Sequence, residues 1–205
     1  MDFREEIKRE AITLFFRMGV KKVKMDTIAR KLKISKRTIY EYFRNKEELI
    51  REAIDYAQEE QNKINSIILN ESENTIEAIL RLLKNGSELL SKISPSYFRD
   101  LQRLYPKIWN EKIKQSKIES SKIIRSLLNK GRQEGIYRED INEDVTALIL
   151  IEQLYMLSDQ KIFPVKKFSL VEMYENIIIT MTRGLLTGKG LKLLEKYQEK
   201  PARKN

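Results

Sequence analysis

An all-helical fold is predicted by two properties of this 205-residue sequence. Apolar residues recur at steps of three and four almost throughout, which is the spacing that lines one face of an α-helix. The seven Gly and four Pro residues fall mostly between the periodic segments. The chain is long enough to bury a sizeable core. Its pattern divides into a short N-terminal three-helix unit over residues 1–48 and a longer helical body over 49–205.

The elements follow in order. Phe3, Ile7, Ala11, Leu14, Phe15 and Met18 step along one face and stop at Gly19, a C-terminal cap, which predicts the first helix. Residues 25–43, MDTIARKLKISKRTIYEYF, read as two short helices joined by a tight turn. Ile28 and Leu32 make one apolar stripe, Ala29 is small where a second helix must cross closely, and Ile34 plugs the core from the turn. Ser35 is placed to N-cap the second helix, which Ile39 and Phe43 anchor inward at i and i+4. A helix over 45 to about 69 opens on Asn45-Lys46-Glu47-Glu48, an N-cap residue with Glu three positions on. Further helices are expected near 74–92, 95–104, 107–130, 142–160 and 168–186, separated by Ser94-Pro95, Tyr105-Pro106, Gly131 to Gly135 and Phe163-Pro164. Asn85-Gly86 is expected to kink or split its helix, and Lys196 to Asn205 to form a polar, frayed tail.

Composition removes most chemistry. With no Cys and no His there is no disulfide, thiolate nucleophile, usual zinc-ligand set or imidazole base, so neither an enzyme, a cofactor nor a metal is expected. The highly charged opening MDFREEIKRE is unlike a secretion signal, and the expectation is a cytoplasmic protein without a membrane span. Net charge is concentrated. Residues 17–46 hold eleven Lys or Arg against only Asp26 and Glu41, so this segment carries +9 of the net +10. That is the electrostatic footprint of a polyphosphate partner, and the residues between the charges give it a shape. The face opposite Ile39 and Phe43 carries Lys36, Arg37, Thr38 and Tyr40 at the N-terminal end of a helix, as on a recognition helix in the major groove.

Ala11-x-x-Leu14-Phe15, Gly19, Ile28-Ala29, Ile34-Ser35, Ile39-Tyr40, Tyr42-Phe43 and Asn45-Lys46-Glu47-x-Leu49 together closely resemble the N-terminal domain of TetR-family transcriptional regulators over residues 7 to 50. The resemblance implies an all-α protein, with an N-terminal three-helix helix-turn-helix domain followed by a helical regulatory and dimerisation domain. It implies a sequence-specific DNA-binding regulator, a repressor released by a small organic effector. The partners implied are double-stranded DNA with an inverted-repeat operator, and a second copy in a homodimer. Carried over by position, Lys24, Thr27, Lys36, Arg37, Thr38, Tyr40, Tyr42 and Lys46 are the DNA-facing residues, with Arg37 and Thr38 on base edges and the rest on phosphates. Core packing is an equal alternative for Tyr42. Two positions depart from the family pattern. Lys33 stands where the turn usually has Gly, so a left-handed backbone there costs on the order of 1 kcal/mol more. Lys24 stands where Ser or Thr usually caps the first motif helix, and Asp26 offers compensation through the helix dipole.

In the body, Val145 to Leu157 has ten apolar residues in thirteen, too short for a bilayer and apolar nearly all round. With the similarly wide stripe of Leu170 to Leu186 it suits a subunit interface, for which Leu148, Ile151, Tyr174, Ile178 and Met181 are the candidates. Two central helices of a monomer are the alternative. Trp109, Glu152, Gln153 and Tyr155 are candidate effector contacts, with core packing or solvent exposure as rivals. Gly184 to Gly190 imitates a phosphate-binding loop, but it lacks the final Ser or Thr and follows a helix, so it is rejected. The rival function is a helical effector-sensing or interaction protein that binds DNA without sequence preference.

Overall fold

The computed structural model describes residues 2–159, 162 and 167–199. Among these the order is α1 (Phe3–Met18), α2 (Met25–Leu32), α3 (Lys36–Tyr42), α4 (Lys46–Glu71), α5 (Thr75–Ser91), α6 (Pro95–Leu104), α7 (Pro106–Gln133), α8 (Glu143–Met156), α9 (Leu170–Leu185) and α10 (Gly188–Glu199). No strand occurs among the described residues beyond an isolated antiparallel bridge between Tyr137 and Leu186. No described helix is long and apolar enough to cross a membrane.

Two compact units divide the chain. The first comprises residues 1–64 and 91–116, and the second 65–90 and 117–205. The first is thus larger than the segment 1–48 set out for DNA binding, because α6 packs on α1. In this unit Ile7, Ala11, Phe15, Val20, Ile28, Ile39, Phe43, Leu49 and Ile50 are fully buried, which brings the apolar stripes of α1 to α4 together. Asp2 caps α1 by accepting the Arg4 amide at 3.0 Å, and Gly19 ends it with φ +80°. A side chain at Gly19 would collide with Ser96 and Asp100 of α6. The Ser94 amide donates to the Phe16 carbonyl at 2.7 Å, and Asp100, itself buried, accepts the Lys21 amide at 2.7 Å.

The second unit gathers Ile76, Ile79, Leu128, Ile136, Tyr137, Ala147, Leu186 and Leu194 into one cluster. Its α5 runs unbroken through Asn85-Gly86, where a kink or split was expected. Gly86 serves packing instead: the Tyr174 ring of α9 lies where a Cβ would stand. Burial there pushes the Tyr174 phenol up to about 12. The sequence reading also missed α10. Thr187 caps it by accepting the Gly190 amide at 3.1 Å, and Gly190 lets the Ile136 carbonyl approach closer than any Cβ allows. Lys196 to Glu199, expected to be frayed, finish this helix, while Lys200 to Asn205 and the Phe163-Pro164 separator lie outside the described residues.

Candidate nucleic-acid interface

The motif is built by local signals that operate as read. Ser35, in an extended conformation, accepts the Thr38 amide at 3.0 Å and starts α3. Lys33 ends α2 in the left-handed region at φ 58°, ψ 38°, and its amide with that of Ile34 closes the helix on Arg30 and Ala29 carbonyls. Ala29, Ile28 and Ile39 are buried between the two helices and the rest of the unit. Asn45 caps α4 by accepting the Glu48 amide at 2.9 Å, and the Glu48 carboxylate reaches back to the Arg44 amide at 2.7 Å. That hydrogen bond holds the Glu48 carboxyl below the usual carboxylate range. Lys24 makes no side-chain cap on α2; its own amide donates to the Thr27 hydroxyl at 3.3 Å.

On the outer face of α3, Lys36, Arg37 and Tyr40 are exposed, with Thr38 half-buried beside them. Lys36 pairs with Asp26 at 3.2 Å and Arg37 with Glu41 at 3.5 Å, so both acids of the basic segment lie against recognition-helix cations. Exposed pairs of this kind contribute at most about 1 kcal/mol and give way readily to phosphate. Thr38 shares a 2.9 Å hydrogen bond with Ser35. Lys24 is exposed, with Lys21 and Lys22 beside it on the loop before α2. The eight DNA-facing candidates, Lys24, Thr27, Lys36, Arg37, Thr38, Tyr40, Tyr42 and Lys46, are not equally free. Tyr42 packs its ring against Phe3, 5.5 Å between centroids, which favours the packing alternative for its ring. Lys46 donates its ammonium to the Val20 carbonyl at 2.6 Å. Burial lowers the Lys46 pKa, and Asp100 partly opposes that shift. Two of its three N–H groups remain for a phosphate.

The body residues disperse. Trp109 belongs to the first unit, where its ring meets Phe98 edge-on at 6.2 Å. Glu152 and Tyr155 belong to the second and share Lys117, whose ammonium is 2.6 Å from the Glu152 carboxylate and 5.4 Å above the Tyr155 ring. Gln153 is half-buried on the same helix. Of the interface candidates, Leu148 is 59% exposed, but Ile151 is buried, Tyr174 lies on Gly86, and Ile178 packs against the core cluster of its own unit. Met181 is half-buried. The exposed apolar residues of α8 are Val145, Leu148, Ile149 and Met156, three of which the sequence reading did not single out. Among the described residues no cluster of acidic side chains is arranged to hold a metal.

A short helix closed by a left-handed turn, a second helix capped by Ser35 with a cationic outer face, and a buried seam between them define a helix-turn-helix DNA-binding protein. Residues 7–53 match the family profile described as bacterial regulatory proteins, tetR family, so this N-terminal segment is similar to the DNA-binding domain of that family. The chain is 26% identical over 163 residues to an uncharacterized HTH-type transcriptional regulator, YvaF, of Bacillus subtilis (strain 168), covering 78% of this chain and 84% of that one. Its fold is similar to that of a TetR-family regulator from Marinobacter aquaeolei VT8, with TM-score 0.68, 23% identity, and 96% and 99% of the two chains covered. A regulator from Saccharomonospora viridis solved in complex with choline gives TM-score 0.72 at 19% identity, covering 90% and 98%.

Proposed function

We propose that this regulator is a cytoplasmic homodimeric repressor that reads an inverted-repeat operator with α3 of each protomer and leaves it when a small organic effector binds the helical body. The observation that carries the DNA-reading part is the outward face of α3, where Lys36, Arg37, Thr38 and Tyr40 stand clear of a helix anchored by Ile39 and Phe43. Arg37 and Thr38 reach base edges, while Lys24, Thr27, Lys36, Tyr40 and Lys46 lie toward phosphates and Tyr42 packs on Phe3. The DNA-binding function is assigned to residues 1–48, and effector binding and dimerisation to 49–205. The exposed stripe of Val145, Leu148, Ile149 and Met156 supports pairing of two copies, and two copies dictate a two-fold operator. The choline complex of the Saccharomonospora viridis protein supports a small organic effector, for which Glu152, Gln153 and Tyr155 of the second unit are candidate contacts and Trp109 of the first unit a separate candidate. No catalytic role is assigned.

Selection of bound sites from a random duplex pool, followed by mobility shift on selected and scrambled duplexes across a salt series, tests the reading. An enriched inverted repeat, bound far more tightly than its scrambled form, is expected. Equal affinity for both duplexes overturns it in favour of DNA binding without sequence preference.

A further inference from the structure

The recognition helix has only seven residues, and so short a helix does not hold its own direction. Its start is fixed by Ser35 and its middle by Ile39. Its end is held by the buried Phe43 and, from far away in sequence, by the second residue of α1. Arg4 donates from Nη1 to the Tyr42 carbonyl, the last of α3, at 2.7 Å. From Nε and Nη2 it donates to the two carboxylate oxygens of Glu52 on α4, at 2.9 and 2.5 Å. Its guanidinium also lies 4.6 Å from the centroid of the Phe43 ring. Phe3, next to it, meets the Tyr42 ring. The contact with Glu52 raises the Arg4 pKa further above its ordinary value, so the charge is permanent. A rigid fork of donors suits this double duty, whereas an ammonium is a single point that serves one partner well.

We propose that Arg4 is a positioning residue for DNA reading: it clamps the C-terminal end of α3 to α4 and so sets the angle at which Arg37 and Thr38 meet base edges. The proposal rests on the reading of α3 as the recognition helix. With three of its five N–H groups committed to Tyr42 and Glu52, Arg4 acts through α3. Its loss therefore degrades base readout, which demands placement of side chains, and spares the diffuse attraction to phosphate.

The test uses the full chain, with a duplex selected from a random pool by the wild-type protein and a scrambled duplex of the same composition. Arg4→Lys and Glu52→Gln are each expected to lower the preference for the selected duplex by about tenfold. Affinity for the scrambled duplex should stay within about twofold, with an unchanged salt slope. The double variant should be little worse than either single one, since both remove the same clamp. Equal loss on both duplexes with a salt slope shallower by about one would make Arg4 a phosphate contact and overturn the proposal. A lower unfolding temperature with preference intact would reduce Arg4 to fold support and overturn it too. Should Arg4→Lys fail to fold, Glu52→Gln, which keeps the guanidinium and one acceptor oxygen, decides alone. Arg37→Ala separates the two readings. Preference unaffected by Arg37→Ala refutes α3 as the reader, whereas preference lost there but kept in Arg4→Lys and Glu52→Gln refutes only the clamp.

Discussion

Lys33 is the only described residue other than glycine with positive φ, and it sits where the helix-turn-helix must reverse. Its side chain is exposed and has no core atoms to lose, so the left-handed backbone is strain that a glycine removes, less the entropy glycine gains when unfolded. Lys33→Gly is expected to stabilise the protein by about 0.5–1 kcal/mol in equilibrium denaturant unfolding. Unchanged or lower stability would mean that Lys33 makes a compensating contact. Among the DNA-facing residues, Thr38 and Lys46 should separate cleanly. Thr38→Ala should relax preference among sites, while Lys46→Ala should weaken all duplexes similarly and flatten the salt dependence by about one unit. Binding isotherms on selected and scrambled duplexes distinguish them, and the opposite pattern would reverse the roles of reader and anchor.

Elements here are set by caps and close approaches. Ser35→Ala removes the acceptor of the Thr38 amide and should cost about 1 kcal/mol, measurable in thermal unfolding. Between α5 and α9 the decisive pair is Gly86 and Tyr174. A methyl at Gly86 meets the phenol ring, so Gly86→Ala should destabilise by about 1–3 kcal/mol despite the better helix propensity of alanine. The same burial has an alkaline signature. The Tyr174 phenol moves from an unfolded value of 10.0 to about 12 in the folded chain. Its contribution is therefore complete below pH 10 and lost as pH rises through about 12, because the unfolded chain ionises first. Relative to Tyr174→Phe, which shares every other titration, the wild type should lose on the order of 2 kcal/mol over that interval. Parallel stability curves for the two proteins would show that the phenol is hydrated.

For the whole molecule, the proposed dimer and the proposed effector make linked claims. Leu148 stands out from α8 as the most exposed of its large apolar residues, so Leu148→Arg should split the dimer without unfolding the protomer and weaken operator binding with it. Sedimentation and mobility shift read the two effects. A monomer that still binds an inverted repeat at full strength would sink the dimer reading. An effector must favour one spacing of the two recognition helices, since a ligand of equal affinity for both states shifts nothing. Effector and operator should then weaken each other by the same factor, about 5 to 150-fold. Calorimetry of a thermal-shift hit with and without operator measures it, and identical affinities would leave the body a dimerisation scaffold.

The sequence by itself determined whatever depends on neighbours along the chain. Helical periodicity, the Ser35 and Asn45 caps and the Gly19 stop all lie within one or two turns of their partners, so spacing alone exposes them, whereas the left-handed residue at 33 was legible only through the family resemblance. The basic outer face of α3 follows from the same period once Ile39 and Phe43 point inward. Only the tertiary structure decided which apolar residues meet inside the chain. Ile151, Tyr174 and Ile178 sit on wide stripes that periodicity cannot divide into inner and outer halves, because a helix apolar all round has no preferred face. It alone placed Arg4 against Tyr42 and Glu52, 38 and 48 residues away, Asp100 against Lys21, 79 residues away, and the Ile136 carbonyl over Gly190 at the start of α10. Such contacts join side chains and backbone across long loops, and no local pattern records them.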